Sequence, residues 1–157
     1  MTQAIIKKKR KLGKWERGRV VVLDQSICSG CRACETVCSL SHFGVANPGL
    51  SAIRVERRVL QGGPSSIFLC AQCESAPCER ACPKKAISED PKTHAKVVDE
   101  QACIGCGICE KVCIISPSRI SVRERNKKAF KCDLCGGDPQ CVAICPMGAL
   151  AYEGVAE

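Results

Sequence analysis

The sequence predicts an α+β fold that consists of two small units related by an internal duplication. Three observations predict it: sixteen cysteines form four groups of four, pairs of groups repeat each other, and short β-type runs alternate with helical turns. Aromatic residues make up only 3% of the 157-residue chain. A chain this poor in large apolar side chains needs disulfides or metal to become ordered.

The duplication is visible by direct comparison. The segment "VVLDQSICSGCRACETVC" (from Val21) aligns without a gap with "KVVDEQACIGCGICEKVC" (from Lys96), and Asp24 and Asp99 occupy the same place in the two copies. We expect both aspartates to cap the turn that enters the first cysteine. The second and fourth groups are also alike, since each ends in Cys-Pro followed by "KKAI" or "MGAL". The chain is therefore interpreted as an A-B-A′-B′ repeat.

The predicted strands and helical turns are short. Strands are expected in "RVVVLD", "AIRVERRV", "SIFL", "AKVVD" and "RISVRE", and helical turns after each third cysteine, in "ETVCSL", "ERAC", "EKVC" and "VAIC". The stretch "AISEDPKTHAKVVDE" predicts a hairpin with its turn from Asp90 to Thr93. Residues 1–19 are predicted to be a basic N-terminal arm, and residues 20–157 the cysteine-rich domain.

The cysteine spacing indicates iron–sulfur clusters. Cys28, Cys31, Cys34 and Cys38 follow the run C-x2-C-x2-C-x3-C, which is the bacterial ferredoxin pattern. Zinc sites instead use two separated CxxC pairs. A disulfide scaffold should follow a secretory signal, and the N-terminus has no apolar stretch of that kind. Iron–sulfur clusters are therefore preferred over zinc and over disulfides.

The fourth cysteine of a ferredoxin run ligates the neighbouring cluster. Groups two and three enclose a short hairpin, as the halves of a two-cluster ferredoxin do, so groups one and four are expected to pair across them. Pairing one with two and three with four stays open from the residues alone. The preferred pairing gives four ligand sets: site 1, Cys28, Cys31, Cys34 and Cys145; site 2, Cys132, Cys135, Cys141 and Cys38; site 3, Cys70, Cys73, Cys78 and Cys113; site 4, Cys103, Cys106, Cys109 and Cys82.

The quartets, with "CAQCESAPCERACPKKAI" and "KCDLC…CVAICPMGAL", resemble the four-cluster ferredoxin-type subunits of multi-subunit redox enzymes over residues 20–152. The resemblance implies four [4Fe–4S] clusters, all sixteen cysteines as iron ligands, and two ferredoxin-like units of two clusters each. The inner unit would span about residues 66–118, and the outer unit residues 20–65 plus 119–157.

The same resemblance implies a non-catalytic subunit that relays single electrons between a catalytic molybdenum or tungsten pterin subunit and another redox partner. The segment "CSGCRACETVCSLSHFGVANPGLSAIRVERR" is most similar to the small subunits of tungsten aldehyde oxidoreductases. A flavin subunit is a further expected partner. A free soluble polyferredoxin and a subunit of a hydrogenase or carbon monoxide dehydrogenase complex are the alternatives.

The charge is concentrated at one end. Residues 1–19 carry eight basic residues against Glu16, which accounts for +7 of the chain's net charge of +8. The run "KKKRK" has no interleaved aromatic residues, so the arm is interpreted as docking on an acidic partner or on another copy of the chain, and nucleic acid is not expected. No segment is long and apolar enough to cross a membrane, and with no secretory signal expected at the N-terminus the sequence predicts a cytoplasmic protein. Export together with a partner that carries the signal is the alternative.

Other side chains are assigned roles around the clusters. Arg32, Arg80, Lys84, Lys85 and Lys131 are expected to favour the reduced clusters by their charge. His42 is predicted to be a loop residue at a docking surface, in preference to a group that supports a cluster ligand. There is no dinucleotide or phosphate-binding motif, and no catalytic residue is assigned.

Overall fold

The computed structural model describes residues 17–57, 62–124 and 126–154 of the chain. The predicted α+β class is confirmed. The α-helices and β-strands occur in the order β1 (Arg19–Val22), α1 (Ala33–Phe43), β2 (Arg54–Glu56), β3 (Ser66–Phe68), α2 (Pro77–Arg80), β4 (Ile87–Glu89), β5 (Lys96–Val98), α3 (Ile108–Lys111), β6 (Ser121–Val122), β7 (Ala129–Phe130), α4 (Gln140–Ile144) and β8 (Leu150–Glu153).

These elements form four successive β–α–β quarters, and each quarter contains one group of cysteines. The strand that ends one quarter pairs with the strand that begins the next, so that β2 pairs with β3, β4 with β5 and β6 with β7, all antiparallel. The last strand, β8, returns to pair with β1, with Val20 opposite Tyr152. The four two-stranded sheets therefore close the quarters into a ring.

Helices α2, α3 and α4 are short turns of four or five residues, as predicted, whereas α1 has eleven residues and extends beyond the predicted turn. Each helix begins one residue before the third cysteine of its group rather than after it. In the first three quarters the residue before the helix has a positive φ, at Arg32, Ala76 and Gly107. This left-handed residue turns the chain sharply, so that the third cysteine enters the first helical turn. Sequence periodicity could not place this boundary because no cap side chain marks it.

The predicted hairpin between the second and third cysteine groups is confirmed as β4–β5, with Ile87 opposite Val98. Its turn is held by Asp90, whose Oδ1 accepts hydrogen bonds from the backbone N–H groups of Lys92 at 3.1 Å and of Thr93 at 2.8 Å. Strands β7 and β8 lie outside the predicted runs. Strand β8 pairs with β1, which is distant in sequence. Strand β7 pairs with β6 over only two residues, which is too short to show a period.

The core is small and divided. One part surrounds Val20, Ile53, Phe130 and Leu134, and the other surrounds Ile120. Buried cysteines belong to both parts. The space between the elements is therefore arranged around sulfur atoms as much as around aliphatic side chains.

The basic arm lies mostly outside the described residues, as does Trp15. Residues 17–19, which the sequence analysis assigned to the arm, contact the domain. The Gly18 N–H donates to Thr93 O at 2.7 Å, and Arg17 donates to the carbonyl of Glu74 at 3.0 Å. Within the described residues, none of the helices has the length and apolar character needed to cross a membrane.

Candidate metal centres

Four cavities lie beside the cysteine loops, and four cysteines line each cavity. The cavities of sites 1, 2, 3 and 4 have volumes of about 340, 420, 380 and 350 Å³, respectively, and these volumes include space that opens to solvent. Each one contains the set of cysteines that was predicted for that site. The structure thus brings groups one and four together and groups two and three together, while ligation itself stays a prediction.

Each site takes three cysteines from the loop of one quarter and the fourth from another quarter. At site 2, the loop of the fourth quarter supplies three cysteines and α1 supplies Cys38. At site 1, α1 supplies Cys34 and the end of α4 supplies Cys145. The packing of α1 against α4 therefore brings together the cysteines of sites 1 and 2.

The cysteine loops share a backbone conformation at one position. The residue before the second cysteine of every group has a positive φ, and these residues are Gly30, Gln72, Gly105 and Leu134. A left-handed residue at this place curls the loop around its cavity. Five residues with side chains have a positive φ between the first and third cysteines of their groups, namely Arg32, Gln72, Ala76, Leu134 and Cys135. A left-handed backbone costs about 1–2 kcal/mol at such a residue, and strain of this kind is typical of functional sites.

Backbone N–H groups point at three cysteine sulfurs, one in site 2 and two in site 4. Ala52 N lies 3.5 Å from Cys38 Sγ, and Ala86 N lies 3.3 Å from Cys82 Sγ. Ala129 N lies 3.4 Å from Cys103 Sγ. Hydrogen bonds of this kind stabilise a thiolate and tune the potential of a cluster that it ligates.

Sites 1, 2 and 3 are neighbours in that order. Burial, together with nearby thiols that include Cys34 of site 1, raises the pKa of Cys141 of site 2 to about 12. Burial also raises the pKa of Cys132 of site 2, and the neighbouring thiol of Cys70 of site 3 adds to the rise. Ligands must be deprotonated, so binding of metal at these thiols releases protons.

Site 4 follows site 3 and completes a linear order. Burial raises the pKa of Cys109 of site 4 to about 11, and Cys78 of site 3 is among the thiols that add to it. Exposure follows the same order, because the exposed cysteines are Cys31 in site 1 and Cys106 in site 4. The two end sites therefore reach the surface, while sites 2 and 3 contain only buried and half-buried cysteines.

His42 does not lie on a loop at a docking surface. It lies in the last turn of α1, and its side chain is only 16% exposed. Its Nδ1 is 2.8 Å from Cys38 O and its Nε2 is 2.9 Å from Asp133 Oδ1. Hydrogen bonds with Asp133, Cys135 and Cys38 raise its pKa above the usual value. The structure thus corrects the prediction and makes His42 a support for site 2.

Among the basic residues that were predicted to influence the clusters, Arg32, Lys84 and Lys131 line cavities, at sites 1, 4 and 3 respectively. Arg80 and Lys85 are exposed and do not line any of the four cavities. The predicted capping aspartates are confirmed in their role, since Asp24 accepts from Ser26 N and Asp99 from Gln101 N.

Three supporting residues were missed by the sequence analysis. Gln72 joins two sites, because its Nε2 donates to Cys132 O at 2.8 Å and its Oε1 accepts from Lys131 Nζ at 3.1 Å. Lys96 and Arg119 both line the cavity of site 3. Both stand in predicted strands without any local pattern that marks them, so only the tertiary structure could reveal them.

The donor sets agree with iron–sulfur chemistry. None of the sixteen cysteines forms a disulfide. Four cysteine sulfurs around one compact cavity form the ligand set of a [4Fe–4S] cluster. N–H groups directed at sulfur provide the outer hydrogen bonds that such a site needs. The residues present therefore fit the cofactor that the spacing predicts.

Comparison with known proteins agrees with this chemistry. Residues 67–154 match the 4Fe-4S dicluster domain family. The chain is 44% identical over 125 residues to the polyferredoxin-like subunit of an aliphatic sulfonate oxidoreductase from Pyrococcus furiosus, with 80% of this chain and 70% of that protein covered. It is 36% identical over 154 residues to the electron transport protein HydN of Escherichia coli, with 84% and 86% covered. It is 30% identical over 150 residues to the thiosulfate reductase electron transfer subunit PhsB of Salmonella typhi, with 85% and 74% covered.

Proposed function

Because the chain belongs to the 4Fe-4S dicluster domain family, we propose that it is an electron-transfer subunit of an oxidoreductase complex and that it relays single electrons through four [4Fe–4S] clusters. The catalytic chemistry of that complex would reside in another subunit. Its own residues would hold the clusters in sequence, shield them from water and set their potentials.

The cofactors of the chain are [4Fe–4S] clusters, and sixteen cysteines match the number of ligands that four such clusters require. A bound cluster accepts and releases one electron. We assign the thiols of each cavity as the ligands of one cluster, with the sets given above for sites 1 to 4. The exchanged fourth cysteines, Cys38, Cys145, Cys82 and Cys113, are part of this assignment.

The observation that carries the proposal is the linear order of the sites. Each site adjoins the next through a pair of neighbouring thiols, and only the two end sites have an exposed cysteine, Cys31 or Cys106. A relay requires this arrangement, because electrons must enter and leave at the surface and pass between shielded carriers inside. The printed names of the relatives, which are electron-transfer or polyferredoxin-like subunits, support the same role.

We also propose that the four quarters arose by internal duplication. The support is the repeated β–α–β order, the repeated left-handed residue before the second cysteine, and the gapless alignment of the first and third cysteine groups.

The catalytic partner is proposed to be a molybdenum or tungsten pterin enzyme, and specifically one of the tungsten aldehyde oxidoreductase type. The support is the similarity of the segment that begins at Cys28 to the small subunits of those enzymes. The relative from Pyrococcus furiosus belongs, by its name, to an aliphatic sulfonate oxidoreductase. Aldehydes and aliphatic sulfonates are therefore the two substrate classes to test.

The proposal is tested by anaerobic purification of the tagged full-length chain from its native cells. We expect a brown protein with about sixteen iron atoms per chain, accompanied by a catalytic subunit that contains tungsten or molybdenum. A substrate of that subunit should bleach the visible absorbance of the clusters. A chain that purifies alone would be a free polyferredoxin, and a colourless zinc protein would overturn the proposal entirely.

A matched variant tests the relay within the complex. In Cys73→Ser, site 3 should be lost or altered while the end sites remain reducible by titanium(III) citrate. Substrate should then reduce clusters on one side of site 3 only. Full reduction of the remaining clusters by substrate would show that electrons do not follow the linear order.

A further inference from the structure

Three basic side chains converge on the cavity of site 3. Lys96, Arg119 and Lys131 line it, and their exposed fractions are only 7%, 7% and 3%. Burial of a charged side chain costs several kcal/mol unless an opposite charge compensates it. The identity of the compensating charges therefore determines what these residues do.

Lys96 has carboxylate partners. Its Nζ lies 2.8 Å from Glu79 Oε2 and 3.1 Å from Glu89 Oε2. Lys131, in contrast, donates to the neutral Oε1 of Gln72 and to the backbone carbonyl of Lys96. Within the described part of the chain, no carboxylate forms an ion pair with Lys131.

Arg119 resembles Lys131 in this respect. Its guanidinium stacks on the ring of Phe68 at 4.6 Å from the centroid, and one Nη lies 3.5 Å from Ser116 O. Its Nε is buried and has no hydrogen-bond partner among the residues that the structure describes. Across the same residues, no carboxylate pairs with Arg119 either.

Electrostatic interactions connect both cations to cysteines of site 3. Burial lowers the pKa of Arg119, and the charges of Cys113 and Cys70 oppose that change. Burial raises the pKa of Cys78, and the charge of Lys131 opposes that change. The two uncompensated cations therefore act on sulfur atoms around this cavity, and Lys131 also acts on Cys132 of the adjoining site 2.

Among the described residues, the linings of the other three cavities contain no equivalent, and Lys128, which donates to Cys103 O at site 4, does not line that cavity. At site 1, Arg32 is paired with Glu35. At site 2, His42 is paired with Asp133. At site 4, the basic residue that lines the cavity is Lys84, which is exposed and solvated. Among the described residues that line the four cavities, buried cations without a carboxylate partner occur at site 3.

We propose that Lys131 and Arg119 give the site 3 cluster the highest reduction potential of the four, so that the first electron to enter the chain rests there. Reduction adds one negative charge to the cluster, and buried cations stabilise the more negative state because the low local dielectric strengthens their attraction. The inference rests on the proposed function, since it concerns the clusters of that relay. It makes an interior site, shielded from solvent, the place where an electron is held.

The test is an anaerobic redox titration of the full-length protein followed by electron paramagnetic resonance. Cys73→Ser identifies the signal of site 3, which should be the signal that appears at the highest potential in the native protein. Lys131→Met should then make reduction of that cluster at least tenfold less favourable, which corresponds to about 59 mV for one electron. Lys131→Arg keeps the charge and should leave the midpoint near its native value.

A second pair of variants keeps the test valid if Lys131→Met fails to assemble its clusters. Arg119→Gln should lower the same midpoint, and Arg119→Lys should largely preserve it. The inference is overturned if Cys73→Ser alters a low-potential signal, if the charge-removing variants leave the midpoint unchanged, or if the charge-keeping variants shift it equally.

The outcomes separate this inference from the proposed function. A four-cluster protein with this order of potentials that exchanges no electrons with a partner would contradict the proposed function alone. A protein that serves its partner with site 3 at a low potential would contradict the present inference alone.

Discussion

Glu35 is the most deeply buried acidic residue among those that the structure describes, with an exposed fraction of 1%. It stands in α1 between two cysteines that belong to different sites. Its Oε1 accepts a hydrogen bond from Val55 N at 2.7 Å, and its Oε2 accepts one from Arg32 Nε. One carboxylate thus ties α1 to strand β2 and fixes the arginine that lines site 1.

We expect Glu35→Ala to destabilise the protein by about 1–3 kcal/mol, because the buried Val55 N–H loses its acceptor. Glu35→Gln keeps an acceptor for that N–H and should cost less. The exposed neighbour Glu56 provides the control, since Glu56→Ala should change stability by less than about 0.5 kcal/mol. Midpoints of anaerobic urea unfolding measure all three. Equal losses in Glu35→Ala and Glu35→Gln would show that the Arg32 contact, and not the Val55 contact, dominates.

Individual residues also show how far a sequence can be interpreted. The sixteen cysteines could be assigned as candidate iron ligands from the sequence, because ligand spacing is a local and chemically specific pattern. The role of His42 was wrongly predicted because its partner Asp133 lies 91 residues away. Gln72 gave no signal for the same reason, since it donates to a carbonyl 60 residues later. Supporting groups are selected by the folded structure, and no short motif records them.

Among the elements, helix α1 contributes thiols to two sites. Cys34 faces the cavity of site 1, and Cys38, one turn later, faces that of site 2. If both are ligands, Cys38→Ser should remove the cluster held by Cys135 and leave that of Cys31 intact. Iron should fall from about sixteen to about twelve atoms per chain.

Double variants make this prediction sharper. Cys38→Ser combined with Cys135→Ser should lose no more iron than either single variant, because both changes affect site 2. Cys38→Ser combined with Cys31→Ser should lose about twice as much. Iron analysis with electron paramagnetic resonance measures both. An additive loss in the first pair would mean that Cys38 serves a different cluster.

The loop of site 4 depends on a glycine for a steric reason. Gly105 has φ +70°, and a Cβ at this position would lie 1.6 Å from the backbone O of Lys127. Gly107, in the same loop, has φ +74°, but a Cβ there would have 3.9 Å to Val122 Cγ2. We expect Gly105→Ala to lose the site 4 cluster selectively, while Gly107→Ala keeps it with a cost of about 1–2 kcal/mol.

The comparison of these two glycine variants isolates the collision from the strain of the left-handed backbone, because both positions have nearly the same φ. Iron content and the number of paramagnetic signals report the result. Retention of four clusters in Gly105→Ala would mean that the backbone at Lys127 moves aside.

Elements were predicted best where the pattern is local. The β4–β5 hairpin follows from its turn residues and its alternating flanks, and the helical turns follow from the cysteine groups. Strand β8 was not predicted because it is defined by pairing with β1 at the other end of the chain. The helix starts were placed too late because a left-handed backbone residue, and not a side-chain cap, begins each of the first three helices.

At the scale of the whole molecule, the fold has little to hold it together without metal. The sheets of the described residues are all two-stranded, and no strand is longer than four residues. Isolated two-stranded sheets are marginal in water, and helices of four or five residues are unstable alone. The ring of quarters is also closed by just one strand pair, β1–β8, between the chain's two ends. Cysteines from different quarters meet at every cavity, so bound clusters would cross-link the same ring from within.

We therefore expect removal of iron to unfold the chain, because the binding free energy of the metal is part of the folding free energy. Anaerobic treatment with a chelator and an oxidant should abolish the circular dichroism of the folded protein together with its visible absorbance. Reconstitution with iron, sulfide and a thiol reductant should restore both signals in parallel.

Loss of structure should also be graded. Cys38→Ser with Cys145→Ser removes one predicted ligand from site 2 and one from site 1, so it should weaken the pairing of β1 with β8 first. Amide hydrogen exchange should then rise in β1 and β8 before it rises in the β4–β5 hairpin. An iron-free chain that keeps slow amide exchange in β1 and β8 would show that the apolar core, and not the clusters, holds the ring closed.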